Sequence, residues 1–120
     1  MKKLDYVDLF VLPVPKKNLA KYLRSAKVFS KLMRENGVKE YREFVGDDLH
    51  VPGMTSITHD VKVKKDEVLV GAYVVYCSRV HRDRVNKIIM SDPLIAQTMK
   101  EPIFDMKRML YGGFKTIFRI

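Results

Sequence analysis

Between Glu67 and Cys77, apolar and aromatic residues fill both sets of alternate positions. Val68, Val70, Ala72, Val74 and Tyr76 form one set, and Leu69, Gly71, Tyr73, Val75 and Cys77 the other. Side chains alternate with period two along a strand, so a strand here carries apolar surface on both faces. A sheet with one wet face would alternate apolar with polar residues. This strand must therefore be covered twice. In a chain of 120 residues with few helices, a partner subunit is the expected second cover.

The remaining pattern supplies the other elements. Tyr6 to Val14 reads as a strand, with Val7, Leu9 and Val11 on one face and Tyr6, Asp8, Phe10 and Leu12 on the other. Pro13 and Pro15 stop it, because proline cannot donate to a ladder. Lys16 to Asn36 reads as a helix, with Leu19, Tyr22, Leu23, Ala26, Phe29 and Met33 in one arc and Gly37 as its stop. Val38 to Val45 is a strand of mixed polarity, Glu40 and Arg42 opposing Tyr41 and Glu43, which suits a sheet edge. Gly46 to Asp66 has turn signals and little period. A stretch that long without structure is unusual in a compact domain, so a short element is expected at Thr55 to Val61. Ser78 suits an N-cap for a helix from Arg79 to Met90, whose arc holds His81, Val85, Ile88 and Ile89. Asp92-Pro93 restarts a short helical piece through Met99, and Pro102 to Met109 is a connector. Leu110 to Ile120 reads as the last strand, in which Gly112-Gly113 marks a bulge or a close backbone approach.

Strand, helix, strand, strand, helix, strand is the order of an α+β, ferredoxin-like βαββαβ domain spanning 1–120. Its four-stranded antiparallel sheet carries both helices on one face. The other face keeps aromatic and aliphatic residues, and a two-fold dimer packing these faces together would bury them.

Composition narrows the classes. The chain is 47% hydrophobic, which argues against disorder, and it has no run of eighteen apolar residues to span a membrane. The N-terminus, Met1-Lys2-Lys3-Leu4-Asp5, lacks the apolar stretch of a signal peptide. A lone Cys77 excludes an intrachain disulfide and fits a reducing compartment, so a cytoplasmic location is expected. The net charge of +9 raises the question of an anionic partner. Lys17, Lys21, Arg24, Lys27, Lys31 and Arg34 share the outer side of the first helix. Such a stripe could follow a phosphate backbone, but no aromatic residue stands among the cations to stack bases, and a solvated lysine-rich face is its commoner meaning.

Four segments carry a resemblance. They are Asp5-Tyr6-Val7-Asp8 with Pro13-Val14-Pro15, Ser78-Arg79-Val80-His81-Arg82-Asp83 with Val85-Asn86, Met90-Ser91-Asp92-Pro93, and the run from Phe104 to Phe114. Together they resemble the YbaA-like family, a family of unknown function, across nearly the whole chain. The resemblance implies the dimeric α/β-barrel architecture and names no reaction. Some dimeric α/β-barrel proteins are cofactor-independent monooxygenases, isomerases or haem-handling enzymes, an analogy at the level of fold.

Candidate chemistry is sparse. His81 lies in the apolar arc and first turn of its helix, where the positive helix end disfavours imidazolium. It is either a buried histidine bonding a carbonyl or carboxylate, or a general base in a cleft. Asp8, on a central strand between Tyr6 and Phe10, is desolvated there and needs a partner. It is ion-paired with an arginine across the dimer, or a carboxylate at a solvated rim, or an acid–base group with a raised pKa. Arg108 could clamp a ligand carboxylate or phosphate, or pin the connector through Asp105 or Asp8. Tyr76 and Tyr111 stand on strands beside these groups as candidate ligand contacts. His50, His59, His81 and Cys77 are scattered, so neither a metal nor another cofactor is expected. The leading class is a homodimeric small-molecule binding protein or cofactor-independent enzyme, its cleft between sheet and helices near His81, Asp8 and Arg108. A nucleic-acid or polyanion binder using the first helix is the second class, and a protein-interaction module is the third.

Overall fold

The computed structural model describes residues 4–120. Met1 to Lys3, part of the charged N-terminal stretch read above, lie outside the described residues. Tyr6–Pro15 forms β1, and a 3-10 turn (Lys16–Asn18) leads into α1 (Leu19–Glu35). Then come β2 (Glu40–Val45), β3 (Glu67–Tyr76), α2 (Arg79–Ser91), α3 (Pro93–Thr98), a second 3-10 turn (Met106–Arg108) and β4 (Leu110–Lys115). The sheet order is β2-β3-β1-β4, with every neighbouring pair antiparallel. This is the ferredoxin-like arrangement, and the doubly apolar strand β3 is central, with a strand on either side of it.

Register decides which residues share a face. Asp8 pairs with Val74, Phe10 with Ala72 and Leu12 with Val70, and this set faces the helices. Two clusters fill the space beneath. One joins Val74 and Tyr76 to Met33, Val85, Ile89 and Ile95. The other joins Leu12, Val14 and Val70 to Tyr22. In α1 the buried arc is rotated slightly from the expected one: Leu23 is 45% exposed, while Val28 and Leu32 pack against the core. The opposite face of the sheet has no helix. Leu9, Phe44, Leu110 and Phe114 stand exposed there.

Local chemistry sets the boundaries. The Ser78 hydroxyl accepts the His81 N–H at 3.1 Å and starts α2. The Asp92 carboxylate accepts the Leu94 and Ile95 N–H groups and starts α3, with Pro93 in its first turn. Gly37 ends α1 at φ +79°, the left-handed position that favours glycine.

Two expectations are corrected. Thr55 to Val61 forms neither helix nor strand, only successive turns. Polar groups hold it in place of a ladder: the Ser56 hydroxyl donates to the Leu49 carbonyl at 2.6 Å, and Val61 is its fully buried anchor. The last strand stops at Lys115 rather than Ile120. Its partner β1 begins at Tyr6, opposite Lys115, and Thr116 N–H to the Asp5 carbonyl is one further rung. The residues beyond have no strand beside them. Among the described residues, no helix is long and apolar enough to cross a membrane.

Candidate functional site

A cavity of about 720 Å³ lies between the helix-facing side of the sheet and the helices above it. Phe10, Ala72 and Val74 form its floor, Phe29, Met33 and Ile89 its roof, and Ile103 and Phe104 of the connector close one side. A cleft of this size and apolar lining is the kind that takes a small molecule.

One half-buried polar group anchors it. Glu43 points from the edge strand β2 to the same face as Ala72 and Phe10, because of its place in the register. Tyr22 Oη of α1 donates to its Oε1 at 2.7 Å, and the neighbouring Tyr41 hydroxyl donates to Oε2. Burial pushes the Glu43 carboxyl above its ordinary pKa, and the two phenol hydrogen bonds pull against that shift. Burial and the nearby Glu43 charge push both phenols upward, so they stay protonated donors.

A second polar group stands on β1. Asp8 is 1% exposed and is held by Arg82 of α2, whose Nη1 lies 3.1 Å from its Oδ1. The same guanidinium donates to the Tyr111 hydroxyl and, at 3.2 Å, to Tyr6 Oη, and it lies 5.0 Å over the Tyr6 ring. Its Nε is 2.9 Å from Asp83 but without hydrogen-bond geometry. Burial raises the Asp8 pKa, opposed first by Arg82 and then by the Tyr111 and Tyr76 hydroxyls. Two strand spacings and two residues along the strand separate Asp8 from Glu43, roughly 12 Å between α-carbons. They are two separate polar points and do not form a carboxylate pair.

The residues singled out from sequence are distributed as follows. Tyr76 and Tyr111 line the cavity. Asp8 lies beside it, beneath Arg82. His81 is spent on the main chain: its Nδ1 accepts the Cys77 N–H at 3.0 Å, so its Nε2 is the protonated nitrogen and donates to the Asn36 carbonyl at 2.7 Å. The ring thereby ties the start of α2 to the end of α1 and packs edge-on to Tyr76. Arg108 and Asp105 stand outside the cavity lining. Arg108 makes a two-pronged pair with Glu67, at 2.7 and 2.6 Å, and a third contact with Asp105 at 3.0 Å. Lys17, Lys21, Arg24, Lys27 and Lys31 are exposed along the outer side of α1 and the turn before it, and Lys21 is paired with Glu101 at 2.9 Å.

Glu43, Tyr22, Tyr41 and Arg82 were not singled out as site residues. The alternation in β2 already put Tyr41 and Glu43 on one face, and that of β1 put Asp8 on one face with Tyr6, Phe10 and Leu12. The arginine expected for Asp8 across the dimer is instead Arg82 of the same chain. What the alternation lacked was the register that lays Glu43 over Ala72, and the turn of α2 that brings Arg82 to Asp8.

The family described as a protein of unknown function, DUF1428, matches residues 5–106. The chain belongs to this family. Over 114 residues it is 33% identical to the uncharacterized protein YbaA of Escherichia coli K12, covering 95% of this chain and 97% of that one, and equally to YbaA of Shigella flexneri. Its fold is similar to a dimeric ferredoxin-like protein from an uncultured marine organism, at 9% identity and a TM-score of 0.60, covering 98% of this chain and 99% of that one. It is also similar to SnoaB, a cofactor-independent oxygenase from Streptomyces nogalater, at 12% identity and a TM-score of 0.58, covering 97% and 96%. At such identities these two structures show the fold alone.

Proposed function

We propose that this protein is a homodimer whose cleft between sheet and helices binds a small, largely apolar molecule. The cavity of about 720 Å³ with Glu43 held at its edge by two tyrosines carries the reading. An apolar wall with a few fixed polar groups gives a ligand both affinity and orientation. The dimer part rests on the helix-free face, where exposed Leu9, Phe44, Leu110 and Phe114 make an apolar surface that a second copy would cover. Solved proteins of this fold include dimers, which supports that part. A cofactor-independent oxygenase of the same fold makes catalysis without a cofactor the enzymatic form of the proposal. In that form Glu43, with its raised pKa, is the acid–base group inside the cleft. Asp8 and Arg82 then set the Tyr6 and Tyr111 side chains, and His81 and Arg108 brace the framework.

A melting-temperature screen of apolar and aromatic small molecules tests the reading. A ligand at a hundred times its Kd stabilises the folded state by about 2.7 kcal/mol, a shift of several degrees. Ala26 lines the cleft on α1. Ala26→Phe should keep the fold, by circular dichroism, and lose the shift. Binders unaffected by Ala26→Phe, or none across a broad library, would count against the cleft.

A further inference from the structure

Among the described residues two carboxylates are buried, each with an arginine, and a third, Glu43, is half-buried on the cleft wall. Asp8 has Arg82 and Glu67 has Arg108. Glu43 has phenols. Tyr22 and Tyr41 give it two hydrogen bonds but no positive charge, and no lysine or arginine among the described residues forms an ion pair with it. A carboxylate partly withdrawn from water gains from an opposite charge beyond what neutral donors give it. A counter-charge brought by a ligand would meet Glu43 from the cleft, the side on which no cation of the described residues pairs with it. Glu43 lines that cleft, and so do the rings of Tyr22, Phe29, Tyr41 and Phe104, whose faces attract a cation.

The other charged groups that line the cleft do not fill this role. Glu101 stands exposed and is already paired with Lys21, and Lys100 next to it is exposed as well. The titratable groups facing the interior besides Glu43 are Tyr22, Tyr41, Tyr76 and Tyr111. All four phenols are pushed upward by burial, so each is a neutral donor.

We propose that the cleft takes an apolar molecule carrying a protonated amine, its ammonium on the Glu43 carboxylate and its hydrocarbon or aromatic body against the apolar walls. This deepens, and rests on, the reading of the cleft as a ligand site. It sets a pH dependence. Ammonium binding requires the ionised carboxylate, and burial raises the pH at which Glu43 gives up its proton. Affinity is therefore full above that raised pKa and falls as pH drops through it. At high pH it falls again as the amine loses its own proton.

Isothermal titration with three molecules of one skeleton tests this: 2-(1-naphthyl)ethylamine, 2-(1-naphthyl)ethanol and 1-naphthylacetate. The amine should bind ~10-fold more tightly than the alcohol, as a partly desolvated ion pair with aromatic neighbours allows, and the acid most weakly. Glu43→Gln should bring amine and alcohol within ~3-fold of each other by removing that charge term. Tyr41→Phe removes a donor that favours the carboxylate, so the acid limb of the amine's pH profile should move to higher pH. This reading does not depend on Glu43→Gln folding. An alcohol as tight as the amine, a preference that survives Glu43→Gln, an unmoved acid limb in Tyr41→Phe, or no binding of the amine would overturn the assignment. In each of these cases with the alcohol still bound, its loss in Ala26→Phe would leave the cleft standing as a ligand site while the amine class fell.

Discussion

The Glu67 side chain is 4% exposed, at the start of a central strand, and three hydrogen bonds keep its charge there. Arg108 grips both oxygens, and the Lys64 N–H donates to Oε1 at 2.8 Å. The Arg108 hydrogen bonds, chiefly, hold this carboxyl below its ordinary pKa of 4.5. A carboxylate with a depressed pKa contributes stability that is full above its unfolded value and is lost as pH falls through the folded one. Arg108→Ala strands the charge and should cost about 3 kcal/mol at pH 7 in urea unfolding. The cost should shrink as pH drops through and below 4.5, because the wild type loses there the stability that its lowered Glu67 pKa confers. A loss too small to measure at pH 7, or one unchanged in acid, would show that the pair is not what holds the connector. Glu43 and Asp8 have the opposite sign. Their pKa values are raised, so their ionised forms cost stability above those values. The sequence exposed Asp8, because a carboxylate on a central strand is an anomaly. It did not expose Glu43, because charge on an edge strand is ordinary.

At the scale of an element, β4 is defined by a close approach. Its register against β1 runs without interruption from Tyr6 opposite Lys115 to Val11 opposite Leu110, so Gly112-Gly113 makes no bulge. A Cβ on Gly113 would sit 2.3 Å from Tyr6 Oη and 3.0 Å from its Cε1. Tyr6 cannot simply swing aside, since Arg82 donates to its hydroxyl and lies over its ring. A Cβ on Gly112 would meet only the exposed ring of Phe114, at 3.3 Å. Gly113→Ala should therefore destabilise by about 1–3 kcal/mol, and Gly112→Ala by less than about 1 kcal/mol. Thermal melts of the two variants compare them directly, and equal losses would deny Tyr6 its role. The sequence offered bulge or close approach, and only the tyrosine on the neighbouring strand chose between them.

For the whole molecule, the open question is the helix-free face. Register puts Leu9 between Tyr73 of β3 and Gly112 of β4, at the middle of that face. It is 43% exposed. If a second copy covers it, light scattering at micromolar concentration gives twice the chain's mass. Leu9→Glu, which would bury a carboxylate in that interface, should then give the monomer with its secondary structure intact. A wild-type monomer at that concentration would remove the homodimer from the proposal.

Alternation of apolar and polar residues determined the strands, their faces and the order of elements, because strand and helix periods are local properties of the chain. Ser78, Asp92 and Gly37 marked the helix ends for the same reason, since caps act within a few residues. The ferredoxin-like order then followed, with β3 at its centre. Gly46 to Asp66 stayed illegible because hydroxyls and backbone turns hold it, and these have no period. The site belonged to tertiary structure. Glu43 meets Tyr22 across the gap from β2 to α1, and Asp8 meets Arg82 across 74 residues. Pairings over such separations depend on register and helix placement, and only the packed sheet and helices supplied these.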